Sequence, residues 1–89
     1  MTYSVEYIDK AAKILSKLDR FVSTRIYNWI DRHLEGCDNP RRYGDPLSGN
    51  LSGKWRYRVG DYRIIAEIQD GKVLIMVMTV GHRREVYGM

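Results

Sequence analysis

The sequence predicts an α+β fold: a small, mainly antiparallel sheet with an N-terminal helical hairpin packed on one face, in the order β-α-α-β-β-β, as a single domain over residues 1–89. Three observations predict it. Apolar residues alternate at the start of the chain, recur at helical spacing from Ala11 to Leu34, and alternate again from Trp55 onward. The pairs Gly60-Asp61 and Asp70-Gly71 separate the later apolar runs as hairpin turns do. A chain of 89 residues supports one core, so helices and strands must share it in layers.

Residues 2–8 set Tyr3, Val5 and Tyr7 against Thr2, Ser4 and Glu6, the pattern of a half-buried strand. Asp9 follows as a suitable N-cap. Ala11, Ile14, Leu15 and Leu18 then form one helical stripe, with Lys10, Lys13 and Lys17 on the other side. After a break at Asp19-Arg20, a second stripe of Val22, Ile26, Trp29, Ile30, His33 and Leu34 ends at Gly36, a favourable residue just past a helix C-terminus. So short a break makes the two helices a hairpin. Trp29 reads as core and His33 as a partly buried residue at a helix end.

Residues 37–53 are punctuated by Asn39-Pro40, Gly44, Asp45-Pro46 and Ser48-Gly49-Asn50, so they read as loop, with Leu47 and Leu51 as anchors. Arg41, Arg42 and Asp45 are polar candidates on it, since loops on a rigid scaffold often carry function. Next, Trp55, Tyr57 and Val59 alternate with Lys54, Arg56 and Arg58, giving one apolar and one cationic strand face. A type II′ turn at Gly60-Asp61 would set Arg58 opposite Arg63, Arg56 opposite Ile65 and Lys54 opposite Glu67. Facing arginines repel, which points to an anion that they hold together. Beyond residues 64–68, Asp70-Gly71 reads as a type I′ turn, and Val73 to Val80 as an interior strand apolar on both faces. Leu74, Met76 and Met78 are expected on the face that carries Arg63.

The net charge of +4 is unevenly placed: the first forty residues balance six basic against six acidic side chains, and the remainder carry nine against five. A localised basic surface favours a polyanion such as nucleic acid, or an acidic protein partner. The single cysteine, Cys37, makes no internal disulfide, and His33 and His82 provide no zinc-type spacing. Neither a metal nor a cofactor is expected. No leader-like start and no long apolar run is visible, so a cytoplasmic protein without a membrane span is expected.

The stretch Leu47 to Ile65 (LSGNLSGKWRYRVGDYRII) and the segment Val80 to Tyr87 (VGHRREVY) resemble the RelE-type toxins of the RelE/ParE superfamily, and the likeness runs over essentially the whole chain. The resemblance implies a RelE/ParE-like fold and the toxin of a type II toxin–antitoxin system. It implies a metal-independent endoribonuclease (an mRNA interferase) that cuts mRNA in the ribosomal A site, where a ribose 2′-OH attacks the adjacent phosphate. It implies as partners a cognate antitoxin, in a toxin–antitoxin hetero-oligomer, together with the ribosome, its rRNA and mRNA.

By position, Arg56 and Arg58 fall where RelE has two lysines, Arg63 on the family's phosphate-binding arginine, Arg83 on its C-terminal arginine, and Tyr87 on its base-stacking tyrosine. The implied roles are phosphate neutralisation by Arg56, Arg58 and Arg63, help to the leaving oxygen from Arg83, and nucleotide orientation by Tyr87. Arginine stays protonated and is a poor base, so the base is sought beside the pair. Lys54, two residues from Arg56, has cationic neighbours that would favour its neutral form. Asp45-Pro46-Leu47 aligns with a Glu-Pro-Leu of the YoeB branch, whose glutamate is the proposed base. Lys54, His82 and Arg84 are candidate RNA contacts; His82 stands where RelE has a lysine. Many relatives continue past Tyr87 into a helix over the groove, so here the groove is expected to be open. The alternative on the same scaffold is a ParE-like inhibitor of DNA gyrase without nuclease activity.

Overall fold

A computed structural model describes residues 1–86. The chain runs β1 (Ser4–Tyr7), α1 (Asp9–Lys17), α2 (Arg20–His33), β2 (Gly44–Pro46), β3 (Trp55–Val59), β4 (Tyr62–Gln69) and β5 (Leu74–His82), with 3-10 turns at Gly49–Leu51 and Asp70–Lys72. One five-stranded sheet has the order β1-β5-β4-β3-β2. β1 lies parallel to β5, and every other neighbour is antiparallel. The α+β class, the helical hairpin and the mainly antiparallel sheet are as the sequence predicts. Among the described residues no helix is long and apolar enough to cross a membrane.

The core forms where the two helical stripes meet one sheet face. Ala11 and Leu15 of α1 and Ile26 and Ile30 of α2 pack with Tyr57, Val59, Ile64, Ala66, Ile75 and Val77. Because strand side chains alternate, Arg56, Arg58, Arg63 and Glu67 fall on the face turned away from the helices. Tyr57 is wholly buried, and its hydroxyl donates to the carbonyl of the equally buried Pro40 at 2.5 Å. Burial raises the phenol's pKa well above its ordinary value, so the hydroxyl remains a donor.

Four local readings are corrected. Asp9 is the first helical residue, not the N-cap: Ile8 caps α1 in extended backbone, with its N–H tied to the Val77 carbonyl at 3.1 Å. The carboxylate then sits in the first turn, where it meets the positive end of the helix. Asp19 supplies the side-chain cap of α2, accepting from Phe21 N at 3.0 Å.

The segment expected as loop contains the short edge strand β2. Gly44 makes it possible, since a Cβ there would lie 2.9 Å from a ring carbon of Tyr57. Pro46 is tolerated because nothing pairs beyond it.

The β4–β5 connection is a four-residue loop rather than a two-residue type I′ turn: Asp70–Lys72 form a 3-10 turn and Val73 takes the left-handed region at φ 51°. The wider loop carries Asp70 to the Tyr3 hydroxyl (2.7 Å) and the Arg41 guanidinium (2.8 and 3.2 Å), while the Val73 carbonyl accepts from Ser4 N.

Finally, a bulge interrupts the expected Leu74-Met76-Met78 stripe. Ile65 faces Thr79 while Ala66 faces Val77, so Met78 has no opposite residue, and Thr79 and Gly81 continue the arginine face.

Candidate active site

The hairpin of β3 and β4 builds the site. Gly60 has φ +59° and Asp61 keeps a negative φ, the signature of the type II′ turn, and the register is as the sequence predicts: Arg58 opposite Arg63 and Arg56 opposite Ile65. Three rows of side chains result on the face away from the helices. Nearest the turn are Arg58, Arg63 and Gly81; next come Asp45, Arg56, Ile65 and Thr79; then Lys54, Glu67 and Met76. Successive rows are about 7 Å apart along the strands.

Asp45 stands at the centre of the charge. Its Oδ2 lies 3.1 Å from Arg56 Nη2 and 3.6 Å from Arg58 Nε, so one carboxylate bridges these two arginines, whereas the anion expected from the sequence lay between Arg58 and Arg63. Opposite Arg58, Arg63 folds back on the turn, and its Nη1 donates to the carbonyls of Gly60 and Tyr62, each at 2.9 Å. One nitrogen serves both bonds, which leaves Nε and Nη2 as donors for a ligand. The Arg83 N–H donates to the Asp61 carbonyl at 2.8 Å and its Nε lies 4.0 Å from the Asp61 carboxylate, which holds the residue against the same turn. The segment after β5 is admitted by Gly81, where a Cβ would lie 3.2 Å from Val86 Cβ.

The fold therefore gathers Asp45, Arg56, Arg58 and Arg63, with Arg83 at the end of the hairpin. Lys54 lies one row further away, and its ammonium is 3.2 Å from the Glu67 carboxylate. That hydrogen bond holds the Glu67 carboxyl below its usual range, assisted by Gln69. The register sets Lys54 opposite Glu67 as the sequence predicts, and this anion, rather than the cations of its own strand, is its charged partner. His82 pairs with Tyr62 on the opposite side of the sheet from the arginines, the two rings 5.6 Å apart, and its Nδ1 accepts from Arg84 N at 3.2 Å. Arg84 is exposed in the turn that follows β5. Tyr87 lies outside the described residues.

Arg41, a candidate on its own sequence, is a structural tie. Besides Asp70 it meets the ring of Trp55, 5.6 Å from its centroid. It thereby fixes the segment leading into β2 and so the position of Asp45. Its main partner is 29 residues away, and no local pattern marks it. Arg42 is exposed.

Residues 5–87 match the family described as the ParE toxin of type II toxin–antitoxin system, parDE. The chain belongs to the RelE/ParE superfamily of type II toxins. It is similar to toxin RelG of Mycobacterium tuberculosis, 29% identical over 87 residues that make up 98% of each chain. It is similar also to toxin RelE of the same organism, 30% identical over 87 residues that cover 98% of this chain and 88% of that one. Among solved structures, this RelE-type toxin is similar to the toxin–antitoxin complex RelBE2 from Mycobacterium tuberculosis, with TM-score 0.80, 28% identity, and coverage of 96% of this chain and 95% of the other. The archaeal RelE–RelB complex from Pyrococcus horikoshii gives TM-score 0.71 and 27% identity, covering 97% and 100%. A free-state mutant of the E. coli toxin RelE gives TM-score 0.76 and 25% identity, covering 99% and 93%.

Proposed function

We propose that this toxin is a metal-independent, ribosome-dependent endoribonuclease that cleaves mRNA in the A site. The observation that carries the reading is the set of Arg56, Arg58 and Arg63 on the sheet face left open by the helices, with Asp45 paired to Arg56 and Arg58. Three permanently charged guanidiniums suit the extra negative charge of a pentacoordinate phosphorus. The attacking 2′ oxygen forms a bond to phosphorus, the bond to the 5′ oxygen breaks, and the products are a 2′,3′-cyclic phosphate and a free 5′-OH.

Asp45 is the better-placed acceptor for the 2′-OH proton, because it shares a row with Arg56 and reaches Arg58, whereas Lys54 lies one row further away. Arg83, held at the end of the hairpin, donates to the leaving oxygen, and Tyr87 orients the nucleotide. Lys54 and Arg84 supply further RNA contacts; His82, on the other side of the sheet, reaches RNA only beyond the site. The toxin acts in the cytoplasm, where ribosomes are, and a cognate antitoxin binds it, as RelB binds RelE in the Pyrococcus complex.

A second reading is inhibition of DNA gyrase, favoured by the family's description as ParE toxins. Against it stand the two curated relatives, RelG and RelE, and the concentration of arginine on β3 and β4.

The test is growth after induction of Arg63→Ala and, separately, Arg58→Ala. Both variants are expected to relieve growth arrest while melting within a few degrees of the parent, since neither side chain is in the core. A fully toxic Arg63→Ala protein would remove the phosphate clamp from the account.

A further inference from the structure

A second basic surface lies on the opposite side of the β3 edge. Between α2 and the β3–β4 turn runs a groove of about 800 Å³. Phe21, Arg25, Asn28, Trp29 and Arg32 line it from one stripe of α2, their spacing of 4, 3, 1 and 3 residues keeping them on one side over about 16 Å of helix axis. Arg20 adds a cation at the start of the helix, and Arg58 and Val59 close the groove from β3. Among the described residues no carboxylate lines it, and Arg20, Arg25 and Arg32 form no ion pair.

The groove is built at the turn as well as on the helix. Arg25 lies directly over Gly60, where a Cβ would be 2.7 Å from its Nη1, so the guanidinium rests at close range on the turn. Phe21, at the rim, is 88% exposed. A large ring left in water beside three guanidiniums with no counter-ion is the pairing of stacking platform and cationic track by which single-stranded nucleic acid is held.

We propose that this groove binds single-stranded RNA, as the continuation of the strand whose phosphate lies at Arg56, Arg58 and Arg63. Arg58 joins the two surfaces: it contacts Asp45 in the candidate active site and lines the groove. An RNA chain leaving the site past Arg58 meets Arg25 and Arg32, seven residues and about 10 Å of helix axis apart, with Phe21 beside them for a base. Arginine serves both needs, because its planar group bonds phosphate and stacks on bases. Trp29 contributes floor rather than platform, since one of its faces is already stacked on His33 at 4.6 Å. An acidic segment of a protein partner would satisfy the same charges; continuity with the phosphate site favours the nucleic acid.

This inference rests on the phosphate-site reading, and oligonucleotide length separates the two. Two fluorescent, fully 2′-O-methylated RNAs that cannot be cleaved, one of four and one of twelve nucleotides, are titrated by anisotropy onto the whole chain over a salt series. The longer RNA is expected to bind at least tenfold more tightly. The double variant Arg25→Ala/Arg32→Ala is expected to lose that advantage, to bind the short RNA as the parent does, and to lower the salt slope on the long RNA by about 1.4, the value for two phosphate contacts on a single strand. Both side chains are exposed, and thermal melting confirms that the variant is folded. Unchanged binding of the long RNA would overturn the proposal, and loss of antitoxin binding by the same variant would then assign the groove to the protein partner. If Arg63→Ala leaves the short RNA bound as before while the double variant still loses the long one, the groove stands and the phosphate clamp falls.

Discussion

Asp45 is the residue on which the proposed chemistry turns, and its carboxylate meets Arg56 and Arg58 at a single oxygen. If it accepts the 2′-OH proton, Asp45→Asn keeps the shape and the arginines but lowers the cleavage rate about 10²- to 10⁴-fold, the usual range for a lost general base. Lys54→Ala, by contrast, is expected to cost less than tenfold. Cleavage of a defined mRNA on programmed ribosomes, followed by primer extension, measures both; a strong Lys54 effect beside a silent Asp45 substitution would reverse the assignment. The sequence placed both side chains near the arginines but could not rank them. The hairpin register already set Lys54 opposite Glu67; what was not legible is that Asp45, on an edge strand without a pattern of its own, reaches Arg56 and Arg58. A stability prediction belongs here too. Tyr57→Phe removes a buried hydroxyl and leaves the Pro40 carbonyl without its donor, which costs about 1–3 kcal/mol by denaturant unfolding. A variant as stable as the parent would show that another donor reaches the carbonyl.

The elements differ in how much of them the chain declares. Both helices and the β3–β4 hairpin follow from periodicity and from Gly60-Asp61, so the facing arginines are legible in the sequence. β2 was not, because three residues that include Gly44 and Pro46 carry no strand pattern of their own; Tyr57, Trp55 and the anchored Arg41 bring them to the sheet edge. The β4–β5 turn misled for a related reason: Asp70-Gly71 has the local chemistry of a tight turn, and distant contacts to Tyr3 and Arg41 select the wider loop.

Arg41, then Tyr3, hold the Asp70 carboxyl below its ordinary value of 3.8. A carboxyl with a lowered folded-state pKa adds stability that is complete above the unfolded value and is lost as pH falls through the folded one. Asp70→Asn is therefore expected to melt slightly below the parent at pH 7, and the gap to close as the pH falls below 3.8. A gap that does not narrow as the pH falls below 3.8 would mean that shape, not charge, holds the loop. Gly60→Ala tests the hairpin: the left-handed backbone at φ +59° predicts a loss of about 1–2 kcal/mol.

At the scale of the whole molecule, the sheet separates two kinds of work. One face packs against the helices, and the other presents the arginines. The basic excess of the second half of the sequence is the imprint of that separation, and the period-2 alternation of residues 54–59 makes it legible. The groove along α2 was hidden for the opposite reason. Its arginines lie in the charge-balanced first half, between core positions that dominate the helical pattern, and only folding brings them to Gly60 and Arg58.

The central claim, cleavage of translated mRNA by 2′-OH attack, is tested most directly by inducing the toxin in cells and mapping transcript ends and DNA breaks together, with ligation chemistry that captures 5′-OH termini. The account predicts new 5′-OH ends in phase with codons, confined to translated regions and lost with Arg63→Ala. Intact transcripts accompanied by DNA breaks and an SOS response would contradict it and assign the protein to gyrase inhibition.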